Sequence, residues 1–170
     1  MGHPRILYAL TPFSGPSGGI RTLFEHVSVL REAGYNAYIF APGVSQVRRG
    51  FASDAPILEG KYQPLYQSNI IVRPETSYAH GIAQIGRRLR QILFVQNQFY
   101  IRHSFGAHRR LSDLGIERVI CVSRGIQRFL AEHAGISDAW IIPNAISVPP
   151  QPPTKRLAPK QLTVAAMKSR

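Results

Sequence analysis

Cysteine and acidic residues are scarce in this chain of 170 residues. The single cysteine, Cys121, excludes a disulfide framework and an all-cysteine metal cluster, and it fits a reducing compartment. No apolar run approaches the roughly 20 residues that a membrane-spanning helix needs. Nine Asp and Glu stand against 21 Lys and Arg, so the formal charge is +12. Such a charge indicates an anionic partner: a nucleic acid, a membrane surface or a phosphorylated ligand.

The positive charge is concentrated in two segments. Residues 73–110 contain seven Arg and one Glu, and residues 151–170 contain five Lys or Arg and no acid. The rest of the chain is close to neutral. The basic surface is therefore expected on one part of the fold and on the C-terminal tail.

Short apolar runs alternate with stretches of helical period. The expected strands are 4–10, 37–40, 69–73, 91–95, 118–122 and 140–142. Apolar stripes at 20–30 and 126–130 predict helices, with Gly34 ending the first and Ser123 capping the second. This order predicts an α/β fold: a three-layer, Rossmann-like, doubly wound parallel sheet. Residues 44–68 are expected to be loop with one short helix at most.

The composition changes at Pro149. Residues 1–148 are expected to form one Rossmann-like domain, and 149–159 a stiff proline-rich linker. Residues 160–170 are expected to be the first strand of a second, truncated domain. The alternative for this tail is a C-terminal strand or helix that folds back on the same domain.

Glycines precede the first helix. Gly15, Gly18 and Gly19 bring free backbone N–H groups and the helix dipole to the carboxyl end of the first strand, where a diphosphate would be stabilised. The spacing matches neither the Walker A loop nor the G-x-G-x-x-G fingerprint. The alternative is a tight turn without a ligand.

Three amides and two aromatic residues follow the strand at 91–95. Gln96, Asn97 and Gln98 can hydrogen-bond to hydroxyls, and Phe99 and Tyr100 offer an apolar face, a combination that suits a sugar ring. The alternative is a polar loop start with an aromatic anchor in the core.

One acid stands at the end of the strand at 69–73. Glu75, with His80 nearby in sequence, could orient a ligand hydroxyl or act as a base. The alternative is a salt bridge to an arginine or a carboxylate at a helix N-terminus. The histidines show no metal-ligand spacing, and Cys121 lies in an expected strand, where a small buried hydrophobe is more common than a nucleophile.

Several soft motifs, taken in order, resemble the N-terminal half of retaining GT-B glycosyltransferases of the family 4-like group. They are Gly18-Gly19-Ile20 opening a long helix, "CVSRGIQRFLAEH" followed by "WIIPNAI", "VRPETSYAH", "FVQNQFY" and, at the end, "KQLTVAAMKSR". The resemblance covers most of residues 4–167.

The resemblance implies two Rossmann-like domains facing a cleft. This chain would be the acceptor-side domain of a hexosyltransferase that makes a bacterial cell-surface polysaccharide or glycolipid, inactive without the missing C-terminal domain. Gly18 and Gly19 would lie near the donor diphosphate. Gln96 and Asn97 fall where many members place a histidine that touches the sugar. The catalytic candidates are Glu75, Gln96 and Asn97, and the residues expected to bind acceptor or sugar are Glu75, His80, Gln96, Asn97, Gln98 and Tyr100.

The expected substrates are a nucleotide-sugar and a glycan or lipid-linked acceptor, with no cofactor, no metal and no nucleic acid. The expected location is the cytoplasm, peripheral on the inner membrane face. An anionic membrane surface would meet five arginines: Arg87, Arg88, Arg90, Arg109 and Arg110. Two alternatives stay open: a basic nucleic-acid-binding module, and a stand-alone flavodoxin-like domain that binds a small molecule.

Overall fold

A single sheet of seven parallel strands forms the centre of the molecule. It is seen in a computed structural model that describes residues 4–10, 17–41, 53–59, 69–78, 89–105 and 111–144. The strands are β1 (Ile6–Ala9), β2 (Ala37–Ala41), β3 (Ile57–Glu59), β4 (Ile70–Pro74), β5 (Arg90–Val95), β6 (Ile116–Cys121) and β7 (Trp140–Ile141). The helices are α1 (Gly18–Glu32), α2 (Gln98–Phe105) and α3 (Arg124–Ala134), with short 3₁₀ turns at Glu75–Tyr78 and Leu111–Leu114.

The strand order is β3-β2-β1-β4-β5-β6-β7, and every neighbouring pair is parallel. This order confirms the predicted Rossmann-like, doubly wound α/β fold. It differs from the flavodoxin-like order 2-1-3-4-5 by the short edge strands β3 and β7, and the alternative of a stand-alone domain that binds a small molecule stays a prediction.

Helices cover the two faces of the sheet. Leu23, Phe24 and Val27 of α1 pack on one face, in a core that includes Val72 and Phe94. On the opposite face, Ile101 of α2 and Ile126 and Leu130 of α3 pack against alternate strand residues, among them Leu93 and Val95. The strands are continuous apolar runs because both faces are covered.

The helix ends follow the residues that the sequence offers there. Ser17 and Ser123 cap α1 and α3, each accepting a hydrogen bond from the backbone N–H three residues on. Gly34 and Gly135 follow α1 and α3 with φ of +85° and +65°. In this left-handed region glycine carries no steric cost.

Two elements differ from expectation. β3 lies in the segment expected to be loop, because a strand of three residues is too short to show a period. α2 begins within the polar run at 96–98, which was expected to be loop. Ile101 is its one described core residue, so the sequence shows no apolar stripe. The linker at 149–159 and the strand expected at 160–170 lie outside the described residues.

Candidate functional site

The carboxyl edge of the sheet has one topological switch point, between β1 and β4. From β1 the chain passes to β2 on one side, and β4 begins the run of strands on the other side. In open parallel sheets, ligands bind in the crevice outside the carboxyl ends at such a point. The glycine, glutamate and amide candidates all follow strands that end at this edge.

Gln96 joins the loops that meet there. Its side-chain Nε2 donates to the carbonyl oxygen of Gly19 in the first turn of α1, at 3.1 Å. Its backbone N–H donates to the carboxylate of Glu75 after β4, with N–O distances of 3.3 Å to both oxygens. One residue after β5 therefore links β4 to α1. We call this set of hydrogen bonds, with that of Asn97 to Glu75, the Gln96 brace.

Glu75 is a buried carboxylate at the first residue of its 3₁₀ turn. The backbone N–H of Asn97 donates to its Oε1 at 2.8 Å, and within the described part of the chain no arginine pairs with it. Burial raises the pKa of Glu75, and hydrogen bonds from its own N–H and those of Gln96 and Asn97 partly offset the rise. A carboxylate held this way fixes the loop between β5 and α2, so Glu75 is a positioning group. Of the two alternatives, the salt bridge is not formed by the residues that are described, whereas the carboxylate does stand at a helix N-terminus, that of its 3₁₀ turn.

The first turn of α2 presents aromatic rings to solvent. Asn97 caps the helix, its Oδ1 accepting from the N–H of Phe99 at 3.0 Å. Phe99 is 68% exposed and Tyr100 47%, whereas Ile101 is buried. The alternative of an aromatic core anchor is thus wrong, because Ile101 is the residue of this turn that packs in the core. Gln98, half-buried, completes a surface of amides and rings beside the Gln96 brace.

The first turn of α1 is open on one side and closed on the other. Among the described residues, a Cβ on Gly18 would meet no atom within 4 Å, whereas a Cβ on Gly19 would lie 3.4 Å from Nε2 of Gln96. None of the three helices carries an acid in its first turn. The partial positive charge of these N-termini at the carboxyl edge is thus not neutralised from within the first turns.

The other candidates lie elsewhere. Arg90 is exposed at the amino end of β5 and pairs with Glu117 at 3.2 Å. Gly15, His80, Arg87, Arg88, Arg109 and Arg110 lie outside the described residues. Within the described ranges no three His, Cys, Asp or Glu could hold a metal ion, and none of the helices is long and apolar enough to cross a membrane. Cys121 is buried as expected, and burial raises the pKa of its thiol.

Sequence reasoning found the parts of this site but missed how they connect. It treated Gly19, Glu75 and Gln96 as separate candidates, because pairings across 21 and 77 positions leave no local pattern. It also missed Arg73, a fully buried side chain whose Nη1 donates to Oε1 of Gln91 at 2.9 Å. No signal in the sequence marks that pair.

No known family model matches the chain, and no curated protein matches its sequence. We therefore infer the function from the geometry of the site together with the motifs described above.

Proposed function

We propose that this chain is the acceptor-side domain of a GT-B glycosyltransferase, which transfers a sugar from a nucleotide-sugar to a cell-surface polysaccharide or glycolipid acceptor. One observation carries the proposal. The Gln96 brace gathers the candidate residues of three loops at the switch point of a Rossmann-like sheet. The order of the motifs supports the choice of this family.

The donor diphosphate is assigned to the first turn of α1. Gly18 leaves room for a ligand beside the backbone, and the first turn contains no acid that would repel an anion. The contact between Gln96 and the Gly19 carbonyl fixes this turn relative to β5. Backbone N–H groups and a helix dipole would then stabilise the phosphates without a metal ion.

The acceptor is assigned to the start of α2. Sugars present hydroxyls at their rim and C–H groups on their faces, and the amide of Gln98 and the rings of Phe99 and Tyr100 offer both kinds of contact. Asn97 uses its side chain to cap α2, so its contribution is to orient the rings.

Glu75 is assigned a positioning role in the transfer. Its oxygens accept three backbone contacts from Gln96 and Asn97, and its side chain is buried. A general base needs an oxygen within reach of the substrate proton. The chemical step is therefore assigned to groups outside the Gln96 brace, including the companion domain implied by the family resemblance.

Saccharide binding tests the acceptor assignment. We expect saturation-transfer NMR with neutral hexose disaccharides to show transfer from the protein to the ring protons. Tyr100→Ala should weaken that transfer several-fold because it removes a stacking surface. The matched control is Tyr35→Ala, which removes a comparably exposed ring (58%) at the turn between α1 and β2, at the amino edge of the sheet.

Equal saccharide transfer in the wild type, Tyr100→Ala and Tyr35→Ala would contradict the acceptor assignment. Efficient nucleotide-sugar hydrolysis or glycosyl transfer by residues 1–170 alone would contradict the assignment of the chain to the acceptor side.

A further inference from the structure

An apolar groove of about 290 Å³ lies between α1 and the sheet, and its described lining includes no residue of the Gln96 brace. Its floor is made by Val72, Phe94 and Ile120 of three neighbouring strands. Val29 and Leu30 of α1 form one wall, and Ile142, just after β7, lies on the other side. The groove exists because α1 covers only part of this face of the sheet.

Exposed apolar side chains surround the groove. Val29 is 61% exposed and Ile142 41%. Trp140 is also exposed, and it pairs in register with Ile120 of β6, so the two residues share one face of the sheet. Two of these exposed side chains, Val29 and Ile142, belong to the lining of the groove itself, and apolar grooves of this kind are typical of binding sites.

The polar side chains that line the groove already have partners. The Tyr8 hydroxyl lies 3.4 Å from Nδ1 of His26, and Thr22 donates to the Gly18 carbonyl at 3.0 Å. Glu25 accepts from Arg21 at 2.8 Å. Burial lowers the pKa of His26 and raises that of Tyr8 to about 12, so both are neutral near pH 7. The described residues of the lining therefore offer no unpaired charge to an occupant.

We propose that this groove binds the hydrocarbon chain of the lipid-linked acceptor. An uncharged chain without hydrogen-bonding groups complements a lining whose polar groups are satisfied internally. The choice of an acceptor lipid depends on the proposed function, whereas the groove's preference for hydrocarbon depends on its lining alone.

The size of the groove sets the length of chain that it holds. A methylene group is about as large as a water molecule, whose share of liquid volume is about 30 Å³, so the groove takes a chain of about ten carbons. An extended peptide is a poor occupant, because its backbone N–H and C=O groups would find no free partner there. This argues against the strand expected at 160–170 as the occupant.

Binding of straight-chain primary alcohols tests the proposal. Trp140 is the only tryptophan of the chain and lies on the groove face, so its fluorescence reports occupancy. From about six carbons upward, we expect the affinity to rise roughly four-fold per carbon. Burying one methylene group favours binding by about 0.8 kcal/mol, which corresponds to that factor. The rise should stop near ten carbons, where the groove is full.

Two variants locate the binding. Val29→Lys and Ile142→Lys place a charge on the groove and should weaken 1-decanol binding at least ten-fold. Tyr35→Lys alters a residue as exposed as Val29 that does not line the groove, and it should leave binding unchanged. Thermal unfolding of each variant checks that the fold is kept.

Four outcomes would overturn the proposal. The first is the absence of saturable alcohol binding, and the second is an affinity that keeps rising well beyond ten carbons. The third is that Tyr35→Lys weakens 1-decanol binding as much as the groove variants do. The fourth is a dimer that Val29→Lys dissociates, which would assign the groove to a second copy of the chain. The assay contains no sugar or nucleotide. Alcohol binding without saccharide binding would therefore reject the proposed function and keep the hydrocarbon site. Saccharide binding without alcohol binding would keep the proposed function and reject the hydrocarbon site.

Discussion

Glu75 is a carboxyl group buried from water. Burial disfavours its charged form, the N–H groups of Gln96 and Asn97 partly offset this effect, and its pKa remains raised. A buried carboxyl group with a raised pKa is typical of a functional position. At the scale of single residues, Glu75 is the part of the site whose contribution to the free energy of unfolding can be isolated by varying the pH.

Replacing Glu75 by glutamine should remove a pH dependence. The folded state holds the Glu75 proton more tightly than the unfolded chain, so this residue makes the free energy of unfolding fall as the pH rises from 4.5 through the raised pKa. Glu75→Gln keeps a carbonyl acceptor without the charge. Its stability relative to the wild type, measured by urea unfolding, should therefore increase as the pH rises from 4.5 through the raised pKa of Glu75 and then level off.

The control for this measurement is Glu75→Ala. It removes the same titrating group, so its stability relative to the wild type should rise over the same pH range. It also leaves two backbone N–H groups without their acceptor, so at each pH it should be about 1–3 kcal/mol less stable than Glu75→Gln. If the wild type and Glu75→Gln showed the same pH dependence, the buried charge of Glu75 would not be the source of the effect.

At the scale of elements, α2 sets the positions of the exposed rings of Phe99 and Tyr100. The helix is short, and Ile101 is its one described core residue, so its cap accounts for much of its stability. Asn97 belongs both to this cap and to the Gln96 brace. The orientation of Phe99 and Tyr100 therefore depends on a side chain that need not touch a ligand.

Substituting Asn97 tests the cap. Asn97→Ala should lower the free energy of unfolding by about 1 kcal/mol, whereas Asn97→Ser, which can still cap, should stay within a few tenths. Amide hydrogen exchange in α2 should become faster in the alanine variant only. A loss of equal size in both variants would show that Asn97 stabilises the protein by other means.

The sequence predicted those elements whose pattern is long enough to read. The α1 stripe, the Ser123 cap and six of the strands were identified from apolar spacing and from glycine or serine at the ends. β3 was missed because three residues cannot show a period, and α2 because its start at residues 96–98 is a polar run without apolar spacing. The Gln96 brace was not predictable, because its bonds join residues far apart in the chain and depend on strand order.

At the scale of the whole molecule, the net charge of +12 is the feature that most strongly indicates an anionic partner. Of the five arginines expected to meet a membrane surface, Arg90 is the one that the structure describes. Its charge is already paired with that of Glu117. The attraction to an anionic surface is therefore assigned to the other four, which lie outside the described residues.

Vesicle binding tests this assignment. Reversing the charge of Arg87, Arg88, Arg109 and Arg110 together should weaken binding to vesicles with anionic lipid at least about 100-fold, since each basic residue near such a surface contributes about 1 kcal/mol. The double variant Arg90→Ala/Glu117→Ala should change the affinity less than about three-fold, because it removes one charge of each sign and leaves the net charge unchanged. Tighter, steeply salt-dependent binding to duplex DNA would instead support the nucleic-acid-binding alternative.

The most direct test of the site is an amide NMR map of the chain with a panel of nucleotide-sugars. The account predicts shifts at Gly18, Gly19 and the side-chain amide of Gln96, with Gly19→Val reducing them because the larger side chain would press on Gln96. The first turn of α3, capped by Ser123 in the same way as α1, is the internal control and should shift little. Equal shifts in both first turns, or shifts confined to regions away from the Gln96 brace, would contradict the account.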